Sequence, residues 1–501
     1  LLGSFLMNKK LYLGVDVGTY ETKGVLVDAK GIVYSQKSIK HEMTIPKPGW
    51  AEHSPDDVWW GDFVKIARQF LNDKDISPDQ ISSVAVSAIG PCMLPIDKDA
   101  SPLYSGVLYG VDTRATEEIN YLNNKIGADK IFKFGGNALT SQSIGPKILW
   151  LKNNHLEIYN KAAKIVTSTT FIVQKLTDQC VIDHYTAANF TPLYDKSTLK
   201  WSNELSEEII DITKLPELKW STDIAGYLTK KASAETGLPI GIPVTVGTID
   251  AAAEAVSVGV RQAGDMMVMY GSTMFFIGIC EGNKSEQSLW SAPWLFENEF
   301  ALMAGTSTSG TITQWFKKEF AKDLDSDEAL QILSEMAEKS PIGSKNLITL
   351  PYFSGERTPI QDPNACGIIF GLNLTHKRED IYRSIIEGIS YGANHIIETF
   401  MQSDFIPNKL FAVGGGVKNK IWTSSISNIS CLSQELKSKT IGASYGNSFL
   451  AALSLGDVGI SDIDSWNKTK GIIKPKPSVI YEEQFKIFKK LYENNKTIIS
   501  K

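Results

Sequence analysis

The sequence predicts an α/β fold of two similar domains that face each other across a nucleotide, and two stretches carry that expectation. From Leu11 to Asp28 the chain reads LYLGVDVGTYETKGVLVD, and from Met266 to Cys280 it reads MMVMYGSTMFFIGIC. Each is an alternating or apolar run, a tight turn of small and hydroxyl residues, and a second apolar run, which is the pattern of a β-hairpin. One such hairpin in each half of the chain points to a duplicated architecture. A length of 501 residues agrees, because it exceeds one typical domain.

The first turn presents Asp16, Gly18, Thr19 and Lys23. A carboxylate, a glycine N–H without a Cβ over it, a hydroxyl and an ammonium are what phosphate oxygens and their Mg²⁺ bind. Taken alone, this stretch reads equally well as an ordinary hairpin with a polar turn. The second copy, with Gly271, Ser272 and Thr273 at its turn, moves the reading toward a phosphate clasp built from both halves.

A 43% hydrophobic and 21% charged composition is that of an ordinary soluble globular protein. The formal net charge of -5, with no Lys/Arg-rich run, argues against nucleic acid or an anionic membrane as the main partner. Cys92, Cys180, Cys280, Cys366 and Cys431 lie far apart, without metal-type pairs, which fits a reducing cytoplasm. The opening LLGSFLM lacks a basic region and is too short for a membrane helix, so Met7 reads as the natural start.

Along the chain, Ile32 to Ser35 reads as a third short strand and Pro46 to Trp50 as a loop. Ser54 as N-cap, Pro55 at the first helical position and Asp57 three residues after the cap open a helix, with Trp59, Phe63, Ile66 and Phe70 on one face. Val84 to Ile89 reads as a buried strand ending at Gly90 and Pro91. Leu108 to Arg114 leads into a helix from about Ala115 to Lys125, and its entry loop presents Asp112 and Arg114. A helix through Ile148, Leu149 and Leu151 follows, with short strands at Ile165 to Ser168 and Val181 to His184. The domain boundary is expected near residue 246, dividing 7–246 from 247–501. There the strand Ile242 to Val246 precedes a turn with Asp250 and an alanine-rich segment. Beyond the second hairpin come a helix from Thr311 to Phe320, a strand from Leu347 to Tyr352 and the loop Ser354 to Pro359. A long amphipathic helix follows from Asp380, with Ile385, Ile389, Ala393, Ile396 and Phe400 on its stripe. Strand Leu410 to Val413 then runs into Gly414, Gly415 and Gly416. That triple glycine lets backbone approach a base or phosphate, or equally relieves crowding between a strand and the next helix.

No GxxxxGK[ST], HExxH, GxSxG or CxxC pair occurs, so the usual supports of P-loop, zinc and serine-hydrolase chemistry are missing. Two phosphate hairpins and a few turn aspartates suit phosphoryl transfer, where positioning and charge neutralisation do most of the catalysis. Asp16 and Asp250 stand out among the acids, each following an apolar strand and preceding small residues.

These residues carry a resemblance. The segment GIIFGLNLTHKREDIYRSIIEG from Gly367 to Gly388, with FSGERTP before it, is similar to the C-terminal signature of the FGGY family of carbohydrate kinases. GVDVGT, PGWAEHSPDDVWW, YGVDTR, PKILWL, the turn around Asp250, YGST and VGGGVKN occur in family order, across roughly residues 10 to 455. The resemblance implies two actin-like (ribonuclease H-like) ATPase domains with a cleft between them, in which MgATP phosphorylates a sugar or polyol hydroxyl. It makes Asp250 the general base and Asp16 the magnesium-side carboxylate. Gly18 and Thr19, with Gly271, Ser272 and Thr273, become the phosphate clasp, Lys23 stands beside them, and Gly414 to Gly416 with Asn419 form the nucleotide side. Asp112 and Arg114 match a loop near the sugar. The implied partners are ATP, Mg²⁺ and a small sugar, with a homodimer as the candidate assembly. Within the family the xylulokinases look most similar, yet SAIGP from Ser87 to Pro91 replaces their usual Gln-Met-His-Gly run, and Ala251 follows Asp250 where they carry asparagine. Two sugar-facing polar groups are thereby missing, so D-xylulose stands first with gluconate, a hexulose or another polyol behind it. The reading from another class is a sugar-independent ATPase of the actin and heat-shock superfamily.

Overall fold

The first hairpin forms because each of its strands alternates between two buried faces, and a third strand extends it into a meander. In the computed structural model, which describes residues 9–324 and 328–499, these strands are β1 (Leu11–Val17), β2 (Glu21–Asp28) and β3 (Val33–Lys40). Strand β4 (Ile81–Ala88) lies parallel to β1, and β5 (Ile224–Tyr227), β6 (Pro243–Thr245) and β7 (Thr248–Ile249) complete a seven-stranded sheet. The order is β5-β6-β4-β1-β2-β3, with β7 beside β4. The expected division at residue 246 therefore falls inside this sheet, whose last strand follows it.

The second sheet repeats the plan. Strands β8 (Asp265–Tyr270) and β9 (Met274–Glu281) make the second hairpin, followed by β10 (Trp290–Pro293), β11 (Glu299–Gly305), β12 (Lys409–Val413), β13 (Gln434–Lys437) and β14 (Thr469–Ile473). Their order is β10-β11-β9-β8-β12-β13-β14. In both sheets an antiparallel meander of three strands is continued by two parallel ones, so β3-β2-β1-β4-β6 and β11-β9-β8-β12-β13 are the same unit twice. Parallel strands need helical crossovers, which places helices on the sheet faces. One covering helix, α1 (Gly61–Leu71), follows a wide turn at Pro55–Trp60 that is capped as expected, the Ser54 hydroxyl accepting from the Asp57 N–H. Trp59, Phe63, Ile66 and Phe70 are all buried.

Two further helices lie between the sheets. Helix α2 (Asp250–Ser257) starts directly after β7, and α3 (Ala443–Ser454), read as no element in the sequence, comes from far down the chain. One hydrophobic core joins Tyr12, Val25 and Ala85 of the first sheet, Ala252 and Val256 of α2, Met267, Ile277 and Phe411 of the second sheet, and Phe449 of α3. The helices approach so closely that glycine is obligatory. A Cβ on Gly446 would stand 1.9 Å from the Ala253 carbonyl oxygen, and one on Gly14 of β1 would stand 2.0 Å from the Ser444 oxygen. Asn447 Nδ2 donates to the Val15 carbonyl at 2.8 Å, fixing α3 on β1. Gly446→Ala must push α2 and α3 apart, so we expect a loss of about 1 to 3 kcal/mol, the usual range for overpacking. Thermal melting checks this, and an unchanged midpoint would mean that the helices have room to part.

Candidate active site

The first hairpin turn and the first residue of α2 come together, and Thr273 of the second turn lines a cavity beside them. Asp16, on β1 opposite Lys23 of β2, accepts from the Ser87 hydroxyl at 2.7 Å, and Ser87 in turn accepts from Asn447 Nδ2 at 2.7 Å. Burial raises the Asp16 carboxyl to about 6, against the pull of Ser87 and of Lys23. Asp250 is the first residue of α2, and its carboxylate accepts from the Ala251 N–H at 2.7 Å. Burial, then the Asp16 charge, lifts Asp250 well above the ordinary carboxylate range. Glu254 follows at i+4, on the same face of α2, and burial with the Asp16 charge raises it to about 7. Three half-buried carboxyls thus share one place, and among the described residues the Lys23 ammonium acts on both Asp16 and Glu254. Such a cluster attracts a cation carrying phosphate oxygens, because Mg²⁺ is commonly held by one or two carboxylates plus the phosphates. Among the described residues no group of three or more His, Cys, Asp or Glu side chains is arranged to hold a metal by itself.

Both turns close differently from the sequence expectation. The Gly18 N–H donates to the Glu21 carbonyl at 3.0 Å and the Gly271 N–H to the Thr273 carbonyl at 3.1 Å, so neither glycine N–H points outward as an open donor. Hairpin closure takes both. The first turn is instead braced from behind. His41 Nε2 bonds the Gly18 carbonyl at 3.0 Å and is steered by Asp62 at 2.9 Å, while His53 Nε2 bonds the Thr19 carbonyl at 3.0 Å. Trp59 donates to His53 Nδ1 at 3.1 Å, which assigns the His53 proton to Nε2. Burial lowers His53 to about 4 and keeps it neutral. The second turn is braced by the start of the helix Gly310–Phe320, where the Gly310 N–H reaches the Gly271 carbonyl at 3.1 Å and the Ser309 N–H reaches that of Ser272 at 3.0 Å.

A cleft cavity of about 610 Å³ separates the halves, lined by Tyr109 and Gln142 on one side and by Thr273, Trp290, Glu356 and Arg357 on the other. Tyr109 connects it to the acids, since its phenol senses both Thr19 and Asp250. A second cavity of about 710 Å³ lies in the second half, bordered by Gly415, Gly416, Lys418, Asn419, Tyr382 and Gln331. The glycine run divides in purpose. Cβ atoms on Gly414 and Gly416 would stand 2.5 Å from the Tyr270 oxygen and 2.6 Å from the Trp422 ring, so those two serve packing, whereas Gly415 has open space. Asn419 caps the following helix, its side-chain oxygen accepting from the Trp422 N–H at 3.1 Å.

Asp112 and Arg114, expected near the sugar, are turned to each other rather than into the cleft cavity. Asp112 is fully buried and binds the Ala51 N–H at 2.6 Å and the Arg114 Nε and Nη2 atoms at 2.7 to 3.0 Å. Arg114, its side chain also sealed from solvent, reaches Glu52 at 2.8 Å and lies over the Trp50 ring. A carboxylate and a guanidinium two residues apart satisfy each other more readily than either satisfies a ligand. Lys23, Thr19, Asp16 and Asp250 do come together, while Gly415 and Asn419 border the separate cavity. Sequence reading missed Glu254, His41, His53 and Tyr109. For Glu254 a signal existed, since i, i+4 spacing from Asp250 puts both on one helix face.

Comparison with known proteins agrees with this architecture. The N-terminal domain of the FGGY family of carbohydrate kinases matches residues 11–257, and its C-terminal domain matches 266–455. A xylulose kinase of Bacillus subtilis (strain 168) is 25% identical over 498 residues, covering 98% of each chain, and a gluconokinase of Bacillus licheniformis is 26% identical, covering 92% of this chain and 90% of its own. The crystal structure of xylulose kinase from Rhodospirillum rubrum superposes with a TM-score of 0.92 at 24% identity, covering 98% of this chain and all of the other. With both domain models matched in order and the doubled actin-like sheet in place, the chain belongs to the FGGY family of carbohydrate kinases, ATP-dependent sugar kinases of two domains.

Proposed function

We propose that this kinase transfers the γ-phosphoryl group of MgATP to a hydroxyl of a small neutral sugar, D-xylulose first. The observation that carries the reading is Asp250, a half-buried carboxylate with raised basicity at the start of a helix, beside the cleft and facing Asp16 of the phosphate hairpin. Asp250 accepts the proton of the attacking hydroxyl, whose oxygen bonds to the γ-phosphorus as the bond to the bridging oxygen breaks and ADP leaves. Asp16 stands on the magnesium side. When bound, Mg²⁺ neutralises phosphate oxygens that three half-buried carboxyls would otherwise repel. Lys23 and the turns at Gly18, Thr19 and Gly271, Ser272, Thr273 flank the phosphates, and the cavity beside Gly415, Gly416 and Asn419 takes the nucleotide. Dispersed cysteines suit the reducing cytoplasm as its compartment.

A second reading, an aldonate, hexulose or polyol as acceptor, is favoured by Ile89, which is 1% exposed and brings no polar group to the end of β4. ADP release measured by a coupled assay across ketoses, polyols and aldonates tests both. Turnover highest with xylulose supports the first and a preference for gluconate the second, and ATP turnover indifferent to every acceptor would sink the sugar-kinase assignment.

A further inference from the structure

Arg357, in the loop Ser354 to Pro359, is the one cation among the described residues lining the cleft cavity. It is held by the same segment that braces the second hairpin turn. Its Nη2 donates to the Thr306 carbonyl, while the Thr306 N–H reaches the Met274 carbonyl at 3.0 Å and the Met274 N–H reaches Thr306 Oγ1 at 2.9 Å. Met274 directly follows the turn residue Thr273. The adjacent carboxylate of Glu356 is engaged elsewhere, accepting from the backbone N–H groups of Ser307 at 2.6 Å and Arg357 at 2.7 Å. Arg357 Nε is buried and has no partner among the described residues. A half-buried guanidinium with an unused donor is uncommon, because unmet buried donors are destabilising. Its position supplies a reason. Tyr109, on the opposite wall, interacts with Thr19 and Asp250, and behind it the three carboxyls are met by one lysine, which itself pairs with Glu21 at 3.3 Å, so a phosphoryl group there meets little positive charge from the protein.

Building on the kinase reading above, we propose that Arg357 is a catalytic residue that binds the oxygens of the transferring phosphoryl group, from the side opposite Asp16 and Asp250. A planar guanidinium presents paired donors that match phosphate geometry, and charge developing on equatorial oxygens rewards a fixed cation. With the β-phosphate left to the turns, the residue separates nucleotides by whether they carry a γ-phosphate.

Titration calorimetry with MgADP and with Mg-bound AMPPNP tests this on the native protein, Arg357→Gln and Arg357→Lys. Arg357→Gln should leave MgADP affinity unchanged and weaken AMPPNP by about 10- to 100-fold, the range for one or two charge-assisted bonds. Its kcat on the best acceptor should fall by about 10²- to 10³-fold, as when a preorganised oxyanion donor is removed. Arg357→Lys, which keeps charge but loses the fork, should recover part of both. AMPPNP affinity and kcat at native levels in Arg357→Gln would overturn the assignment, as would equal weakening of both nucleotides, the mark of a structural role. A native protein that binds neither nucleotide would instead overturn the kinase reading on which the assignment rests.

Discussion

Asp250→Asn should lower kcat by about 10²- to 10⁴-fold, the usual contribution of a general base, while nucleotide affinity stays near its native value. Asparagine keeps the shape at the start of α2, and its side-chain oxygen can still accept from the Ala251 N–H. What it lacks is a place for the hydroxyl proton. A second readout separates this from misfolding. Asp250 has its pKa raised by burial and by the Asp16 charge, so in the folded protein its ionisation is unfavourable and stability falls as pH rises above the ordinary carboxylate pKa. Removing the charge relieves Asp16 and Glu254 together. The variant should therefore melt no lower than the native protein at pH 7, and the difference in its favour should shrink as the pH is lowered toward 4, where the native carboxyl is protonated. Near-native kcat in Asp250→Asn would exclude Asp250 as the base and leave Asp16 to be tested in its place.

Asp112→Ala is expected to unfold the protein more easily rather than to weaken sugar binding. The substitution leaves the Arg114 guanidinium buried between Trp50 and Trp150, at 4.0 and 4.9 Å from their ring centres, with Glu52 as its remaining carboxylate. Arg114 Nη1 already lacks a partner among the described residues. Removing one member of a buried pair typically destabilises by about 3 to 5 kcal/mol. Denaturant unfolding measures it directly, and the double variant Asp112→Leu with Arg114→Met should regain much of the loss, since no charge is then stranded. If Asp112→Ala keeps native stability but raises the KM for sugar, the side chain turns outward in the working enzyme and the inward geometry is not the relevant one.

The contrast between these two aspartates shows what the sequence could reveal. Both precede helices and both sit in segments that resemble family loops. The placement of Asp250 at a strand-to-helix junction was legible because a strand, a carboxylate and three alanines in succession leave a gap that only a ligand or a neighbouring helix fills. The pairing of Asp112 with Arg114 was not legible, because residue order does not say whether a side chain two positions from an arginine turns in or out. Strand β3 was read only as Ile32 to Ser35. Its true span to Lys40 alternates half-buried and exposed residues, and Ser35, Gln36, Lys37 and Ser38 give no apolar period to detect. Helix α3 escaped altogether, since ASYGNSFLAALS is buried nearly all round and shows little one-sided pattern. The hairpins were clear because period-two alternation and a glycine turn are local properties. The bracing of their turns by His41 and His53 was not, because it depends on segments that meet only after folding.

The placement of α3 bears on the order in which the chain can become compact. The first sheet has all its strands by Ile249, yet the helix that seals its inner face arrives with residues 443–454, and the bond from Asn447 to Val15 spans 432 positions. During synthesis from the N-terminus that apolar face must wait, uncovered, while nearly two hundred further residues are made, whereas domains generally fold as units as they emerge. Contacts of such separation also slow the search for the native state, because the chain loses the entropy of a very long loop before they form. The duplicated halves are therefore alike in architecture but unequal in ribosomal time. The N-terminal sheet is made first and finished last, by an element borrowed from its copy.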